Sequence, residues 1–261
     1  MKPKTAFAAL AFWFALLSVH APAAAQGASA GGEERAVPWL RGGQQTGFPD
    51  QQVTSAVRFD KLEWNRRGGS DSARWDLEAY VGTDYDKFFF KSEGFYDGRA
   101  GKFDEAQLQA LYSRMITYYF DLQVGVRHDF SPRPSRTYAV IGVEGLAPGF
   151  IEIDAEAYVS EKGKISGSFT AWHDLLITNR LILQPRIDVR IQAQSVAELG
   201  LGRGITDFEL GARLRYEMLR NFAPYIGVAW DRKVGETAAI AEREMKQTSS
   251  VYLVAGLRLL W

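Results

Sequence analysis

Residues 251–261 read V-Y-L-V-A-G-L-R-L-L-W and end the chain. Successive side chains of a β-strand point to opposite faces. One face then carries Val251, Leu253, Ala255, Leu257, Leu259 and Trp261, and the other carries Gly256 and Arg258. This pattern is typical of a transmembrane barrel strand, which is apolar towards lipid and polar towards the lumen. Soluble domains usually end in loose polar residues, so we expect this terminus to be part of the closing strand.

The beginning of the chain predicts export. Lys2 and Lys4 precede an apolar run over 6–19, and small residues follow over 21–25. The run is shorter than the roughly 20 residues that a spanning helix needs, so we predict a signal peptide over 1–25. Residues 26–55 are rich in Gly, Ala and Gln without a period, which predicts a flexible N-terminal arm. Residues 56–261 are predicted to form the outer-membrane barrel of a Gram-negative cell.

Composition excludes two other classes of protein. The chain has no cysteine, so disulfides do not stabilise it. Its formal net charge is zero, which argues against nucleic acid as a partner. Aromatic residues make up 13% of the chain, as expected for a barrel with aromatic girdles at both membrane interfaces.

Alternating segments follow one another from residue 57 onward. The segment 151–159 sets Ile151 and Ile153 against Glu152, Asp154 and Glu156. The other clear segments are 73–82, 181–194 and 208–217. Weaker segments are 57–64, 87–96, 106–115, 119–128, 137–145, 165–173 and 224–230. With the C-terminal strand, they predict an antiparallel transmembrane β-barrel of about 12 strands.

Connection lengths are expected to alternate as they do in membrane barrels. The predicted outer loops are 65–72, 97–103, 129–136, 160–164, 195–204 and 232–249. The predicted tight turns are 83–86, 116–118, 146–149, 174–180 and 219–223. Pro185 falls inside a predicted strand, where proline is unusual. A soluble barrel with the apolar residues inside would alternate in the same way, but the signal peptide, the aromatic terminus and the connections favour the membrane.

Several ordered motifs resemble the outer-membrane copper resistance protein B family. They are F-D-K-L-E-W at 59–64, S-E-G at 92–94, D-G-R at 97–99, A-Q-L-Q-A-L-Y-S-R at 106–114, G-V-R-H-D-F at 125–130, G-L-A-P at 145–148, L-L-I-T-N-R-L-I-L-Q-P at 175–185 and F-A-P-Y-I-G-V at 222–228. The resemblance implies an outer-membrane protein that helps cells survive excess copper beside a periplasmic multicopper oxidase. Family members often carry a Met- and His-rich N-terminal segment, whereas residues 26–55 contain neither residue. The soft ligands that select copper are therefore missing from this arm.

His128 and His173 are the histidines of the predicted barrel, and each is followed by Asp. The topology places them at opposite rims, about 25 Å apart, too far to share an ion. Single interfacial histidines are the more common explanation of such residues, and a metal ligand is the alternative. His128 lies within a family motif and is the preferred metal ligand, with lumenal Glu152, Asp154 and Glu156 as helpers.

Charged residues on the inward faces predict a lumenal network. Its members are Arg74, Asp76, Glu78, Lys91, Glu93, Arg186, Asp188, Arg190, Arg213, Arg215 and Arg258, with Asp121, Arg127, Glu144 and Glu209 beside them. Ion pairs that fill a narrow barrel are the preferred interpretation, and a path for cations is the alternative.

The sequence thus predicts an outer-membrane barrel, and the family resemblance implies that it contributes to copper resistance by binding or passing copper ions. Its expected partners are lipid, copper ions and a multicopper oxidase, with no tightly bound cofactor. A structural or general small-solute barrel without a copper role is the first alternative. An outer-membrane hydrolase is the second, but no G-x-S-x-G nucleophile motif accompanies either histidine, so no enzymatic activity is expected.

Overall fold

The computed structural model describes residues 52–67 and 70–261, which form a closed antiparallel β-barrel of 12 strands. The predicted signal peptide and most of the predicted arm lie outside the described residues. The strands are β1 (Thr54–Arg67), β2 (Ser70–Gly82), β3 (Asp86–Asp97), β4 (Lys102–Thr117), β5 (Phe120–Ser131), β6 (Arg136–Ala147), β7 (Ile151–Ser160), β8 (Ile165–His173), β9 (Leu175–Leu176), β10 (Leu181–Gln192), β11 (Gly204–Tyr216), β12 (Phe222–Lys233) and β13 (Ser249–Leu260). The short β9 continues β8 beyond Asp174, and both pair with β10, so together they count as one strand of the barrel. A 3-10 helix (Ala197–Leu199) and α1 (Gly235–Arg243) lie in connections.

The first and last strands close the barrel. β1 pairs with β13 in antiparallel register, with Phe59 opposite Leu259 and Trp64 opposite Ala255. The Val57 and Trp261 backbones exchange two hydrogen bonds of 2.9 Å. Closure pairs the strand edges, as a spanning sheet requires in lipid, where water does not satisfy free backbone groups.

Side chains alternate between an apolar outer face and a polar lumen. On β13, Val251 is 67% and Leu253 70% exposed, whereas Tyr252 and Val254 are buried. The buried residues of the other strands include Lys91 and Arg213. A soluble barrel would show the reverse arrangement, so the membrane interpretation is confirmed. Among the described residues, no helix is long and apolar enough to cross a membrane.

Pro185 lies where the barrel ladder is interrupted. β10 pairs with β8 from Arg186 onward and with β9 at Ile182 and Leu183. Gln184 and Pro185 therefore face the break at Asp174 on that side. Proline has no backbone N–H to donate. Because Pro185 lies opposite a break in the pairing, no hydrogen bond between strands is lost there.

The two ends of the barrel differ in their connections. The turn end holds the short connections 83–85, 118–119, 148–150, 177–180 and 217–221. The loop end holds 98–101, 132–135, 161–164 and two longer connections, 193–203 and 234–248. The predicted loop over 65–72 is wrong, because β1 and β2 extend through it and pair Asn65 with Ser72. Both side chains are buried inside the barrel, so their polarity reflects a polar lumen and not a loop.

Candidate functional site

Ion pairs between distant strands cross the lumen. Arg213 Nε of β11 lies 2.6 Å from Glu63 Oε1 of β1, and both side chains are almost fully buried. The Tyr225 hydroxyl donates a second hydrogen bond of 3.2 Å to the same oxygen. A Cβ at position 227 would lie 3.1 Å from Arg213 Cγ, so Gly227 leaves room for the Arg213 side chain. Buried charges are retained when they are paired and hydrogen-bonded, as here.

A second pair joins β2 to β11. Arg74 Nη1 donates to Glu209 Oε2 over 2.8 Å, and the Tyr252 hydroxyl donates to that oxygen over 2.8 Å. The other Glu209 oxygen lies 3.6 Å from Arg213 Nη2, so the two cross-lumen pairs form one network. The predicted inward charges at Arg74 and Arg213 are thus brought together through Glu209.

Lys91 of β3 is surrounded by carboxylates of β6 and β7. Its Nζ lies 3.1 Å from Glu144 Oε2, 3.1 Å from Asp154 Oδ2 and 3.6 Å from Glu156 Oε1. It also donates a 3.1 Å hydrogen bond to Gln123 Oε1. We call Lys91, Gln123, Glu144, Asp154 and Glu156 the Lys91 cluster. Two of the three predicted carboxylates of β7, Asp154 and Glu156, therefore form ion pairs with Lys91.

Glu156 and Asp154 retain further acceptor capacity. Glu156 Oε2 accepts a hydrogen bond from the Tyr158 hydroxyl. Within the described part of the chain, Asp154 Oδ1, Glu156 Oε1 and Gln109 Oε1 are buried without a hydrogen-bond donor. Gln109 Nε2 lies 3.5 Å from Glu156 Oε2, so its amide is next to the cluster. Glu152, two residues before Asp154, lies nearer the turn end and is opposite Trp172 of β8.

The other members of the predicted network are distributed around the wall. Arg186 and Asp188, both selected by the sequence analysis, pair with each other, and most of the others pair with residues that it did not select. These pairs are Arg58 with Glu78 (3.2 Å), Lys61 with Asp76 (3.8 Å), Arg127 with Asp129 (2.6 Å), Lys87 with Asp121 (3.0 Å), Arg186 with Asp188 (3.0 Å), Arg215 with Asp174 (2.6 Å) and Arg258 with Asp60 (3.1 Å). Glu93 is opposite Asp76 and Gln107 in register and is exposed.

A bulge in β1 explains why several partners were missed. The register of β1 shifts between Phe59 and Lys61 against β2, so Asp60 is an extra residue. The shift changes which residues of β1 face inward, and strict alternation across 57–64 does not follow it. The alternation breaks within 59–64, where Asp60 and Lys61 are adjacent charged residues, and this break is the available sequence signal for such a bulge.

The predicted metal set of His128, Glu152, Asp154 and Glu156 does not come together. His128 shares the outward face of β5 with Val126 and Phe130, each 55% exposed. Its Nδ1 lies 2.9 Å from Thr137 Oγ1. The carboxylates lie on the inward face of β7, so the barrel wall separates them from the imidazole. Among the described residues, no group of three or more His, Asp and Glu is arranged to hold a metal ion.

His173 lies at the other end of the barrel from His128, as the topology predicts. Its Nδ1 is 2.7 Å from the Phe150 carbonyl oxygen, beside the 148–150 turn. His128 is opposite Thr137, beside the 132–135 connection at the loop end. Each histidine therefore contacts a local partner at its own end of the barrel.

Residues 193–203 and α1 pack on each other at the loop end. The Gly202 amide donates to Thr237 Oγ1 over 2.9 Å, and Thr237 is buried. Glu236 Oε2 accepts from the Arg203 amide (2.7 Å) and from Ser195 Oγ (2.8 Å). A Cβ at Gly202 would lie 2.4 Å from Glu236 Cβ, so this close approach requires glycine. We call 193–203 with α1 the loop-end cap.

Glu198 ties the cap to β6 and to the connection between β7 and β8. It accepts hydrogen bonds from Arg136 of β6 and from Lys162 of the 161–164 connection, the latter over 3.2 Å. Arg136 is buried. Lys162 and Arg136 hold the pKa of Glu198 below its ordinary value, and the Arg203 amide and Ser195 do the same for the pKa of Glu236. Both carboxylates are thus ionised partners that hold the cap in place.

Comparison with known proteins identifies the family. The family model described as Copper resistance protein B precursor (CopB) matches residues 53–261. Copper resistance protein B of Escherichia coli is 40% identical over 80% of this chain and 70% of its own length. A homolog from Pseudomonas syringae pv. tomato (strain ATCC BAA-871 / DC3000) is 36% identical over 80% of this chain and 71% of its own length.

Among solved structures, the NanC porin superposes with a TM-score of 0.50 at 12% identity, over 79% of this chain and 99% of that chain. This likeness concerns the fold alone and agrees with the closed barrel described above. The family model covers the whole of it, from before β1 to the end of β13. The chain therefore belongs to the copper resistance protein B family and folds as an outer-membrane β-barrel.

Proposed function

We propose that this barrel contributes to copper resistance from the outer membrane by binding copper ions weakly at the Lys91 cluster and passing them on. In this proposal, residues 1–25 direct export, and a periplasmic multicopper oxidase is the partner, as in the implied family role. The barrel holds and releases ions and carries out no chemical reaction itself. Membership of the copper resistance protein B family is the main support for the copper role.

The Lys91 cluster is the observation that selects the site. Three carboxylates surround one ammonium group, so the cluster carries more negative than positive charge. Asp154 Oδ1 and Glu156 Oε1 have no hydrogen-bond donor among the described residues. The three carboxylates are arranged around Lys91 and do not form a ready metal site, so a cation binds here by displacing the ammonium group from them. Carboxylates bind Cu(II) less selectively than imidazole or thioether groups do, so weak and exchangeable binding follows.

A single isosteric substitution tests this assignment. Asp154→Asn removes one negative charge and leaves Lys91 with Glu144 and Glu156, so the barrel is expected to fold. We expect weaker Cu(II) binding by the purified full chain in titration calorimetry. In cells that lack the chromosomal gene, the variant should restore less copper tolerance than wild type at equal amounts of heat-modifiable, folded barrel.

The matched control is Asp104→Asn, which removes an exposed carboxylate that pairs with Lys102 near the loop end. This control should restore tolerance fully. Equal tolerance and equal Cu(II) binding for Asp154→Asn and wild type would exclude the Lys91 cluster as the copper site. Equal tolerance with and without the gene itself would contradict the copper role as a whole.

A further inference from the structure

One ion pair spans almost the full width of the lumen. Arg190 of β10 holds Glu105 of β4 through two contacts, Nη1 to Oε1 at 2.6 Å and Nη2 to Oε2 at 3.2 Å. β4 and β10 lie nearly opposite each other in the ring of strands. Arg190 Nε also lies 3.8 Å from Asp207 of β11. A two-contact Arg–carboxylate pair has a fixed geometry, so it ties the opposite walls together.

This pair lies near the loop end, just inside the cap. Glu105 follows the 98–101 connection, and Arg190 precedes residues 193–203. The cap crosses from β10 and β11 towards β6 through Glu198, which contacts Arg136 and Lys162. The side chains of Arg190 and Glu105 are 51% and 43% exposed, so the pair is in contact with water at the loop-end opening of the lumen.

We propose that Arg190 and Glu105 form an ion barrier across the loop-end opening of the lumen. The joined side chains block the middle of the opening, and because their charges are opposite, the intact pair has no net charge that would draw ions in. Release of the pair opens the lumen at this end. The proposal goes beyond the copper role, because it concerns the passage of any small ion.

The charges of the two partners give the barrier a signature that a merely structural pair would lack. Without Arg190, the carboxylates of Glu105 and Asp207 remain and attract cations. Without Glu105, the guanidinium of Arg190 keeps only the more distant Asp207 and attracts anions. Both changes should widen the opening, but they should shift ion selectivity in opposite directions.

The experiment measures single-channel conductance of the purified full chain in planar bilayers in KCl, without copper. Selectivity is read from the reversal potential in a KCl gradient. We expect low conductance for wild type and a several-fold rise for both Arg190→Gln and Glu105→Gln. Arg190→Gln should be more cation-selective than wild type, and Glu105→Gln more anion-selective. Lys102→Gln, in the exposed pair with Asp104 on the same strand, is the control and should behave as wild type.

Heat-modifiable migration verifies that each protein entering the bilayer is folded, and two independent variants keep the test valid if one fails to assemble. Wild-type conductance in the folded variants would overturn the proposal, as would a selectivity shift in the wrong direction. Because copper is absent from this experiment, that result would not contradict the proposed copper role. Conversely, unchanged copper tolerance for Asp154→Asn would not contradict the proposed ion barrier.

Discussion

Individual lumenal residues owe their burial to partners that are distant in sequence. Inward orientation of Arg213 follows from alternation along β11, and the sequence predicts it. Its partner Glu63 lies on β1, and the contact depends on how closure and stagger bring β1 towards β11. Alternation therefore predicts which charges enter the lumen but not which of them meet. Glu105 was not selected as the partner of Arg190 for a different reason: it precedes the predicted segment 106–115, whereas β4 begins at Lys102.

The buried pair of Glu63 and Arg213 gives a stability prediction. Glu63→Gln leaves the Arg213 guanidinium buried without its charge partner, and breaking a buried pair in this way costs about 3–5 kcal/mol. We expect that loss in urea unfolding of the refolded barrel in lipid vesicles, followed by tryptophan fluorescence. The exposed pair of Glu244 and Lys246 supplies the control, since Glu244→Gln should leave the midpoint unchanged. Equal midpoints for both variants would show that the lumenal pair does not stabilise the fold.

Strands with one apolar face were predicted well from the sequence. Strand ends whose polar residues face the lumen were predicted less well, because they resemble solvent-exposed loops. The strand over 251–260 and the acidic strand over 151–159 follow directly from their alternation. Polar residues at Asn65 and Ser72 predicted a loop, because sequence alone does not distinguish a polar lumen from solvent. The helix α1 was not predicted, since its short sequence lies in a connection and its packing depends on residues 193–203.

The loop-end cap gives a prediction about pH. The pKa values of Glu198 and Glu236 are lowered by Lys162, Arg136 and the Arg203 amide, so the stabilisation is present above the ordinary pKa of 4.5. It is lost as the pH falls below 4.5 through the lowered pKa values, because protonation removes the charge that these partners hold. Hydrogen exchange of 193–203 and 235–243, corrected for the intrinsic rate, should therefore accelerate in acid while the strands stay protected.

The double variant Glu198→Gln/Glu236→Gln is the control for the cap. It should exchange faster at neutral pH and lose the additional acceleration in acid. An acid response of the same size in this variant would mean that other groups hold the cap.

At the scale of the whole molecule, the barrel is closed, apolar outside and filled with ion pairs inside. The lumen includes a cavity of ≈ 20 Å³ lined by Asp60, Lys61, Trp172, Gln184, Arg186 and Arg258, which has room for about one water molecule. The number and direction of the strands were predictable because the apolar stripe recurs along the chain, and so was the inward face of each strand except β1, where the bulge shifts it. The degree to which the lumen is filled was not, because it depends on the lengths of side chains that meet from opposite walls.

The orientation of the two faces is tested most directly by spin labels on β13. The chain has no cysteine, so single cysteines at Val251, Tyr252, Leu253 and Val254 each carry one label. In reconstituted vesicles, labels at 251 and 253 should collide mainly with lipid-soluble oxygen, since these positions are exposed on the outer face. Labels at 252 and 254 should show low oxygen accessibility and the restricted motion of a packed lumen. Equal oxygen accessibility at all four positions, or alternation in the opposite phase, would contradict a barrel with lipid outside and charges inside.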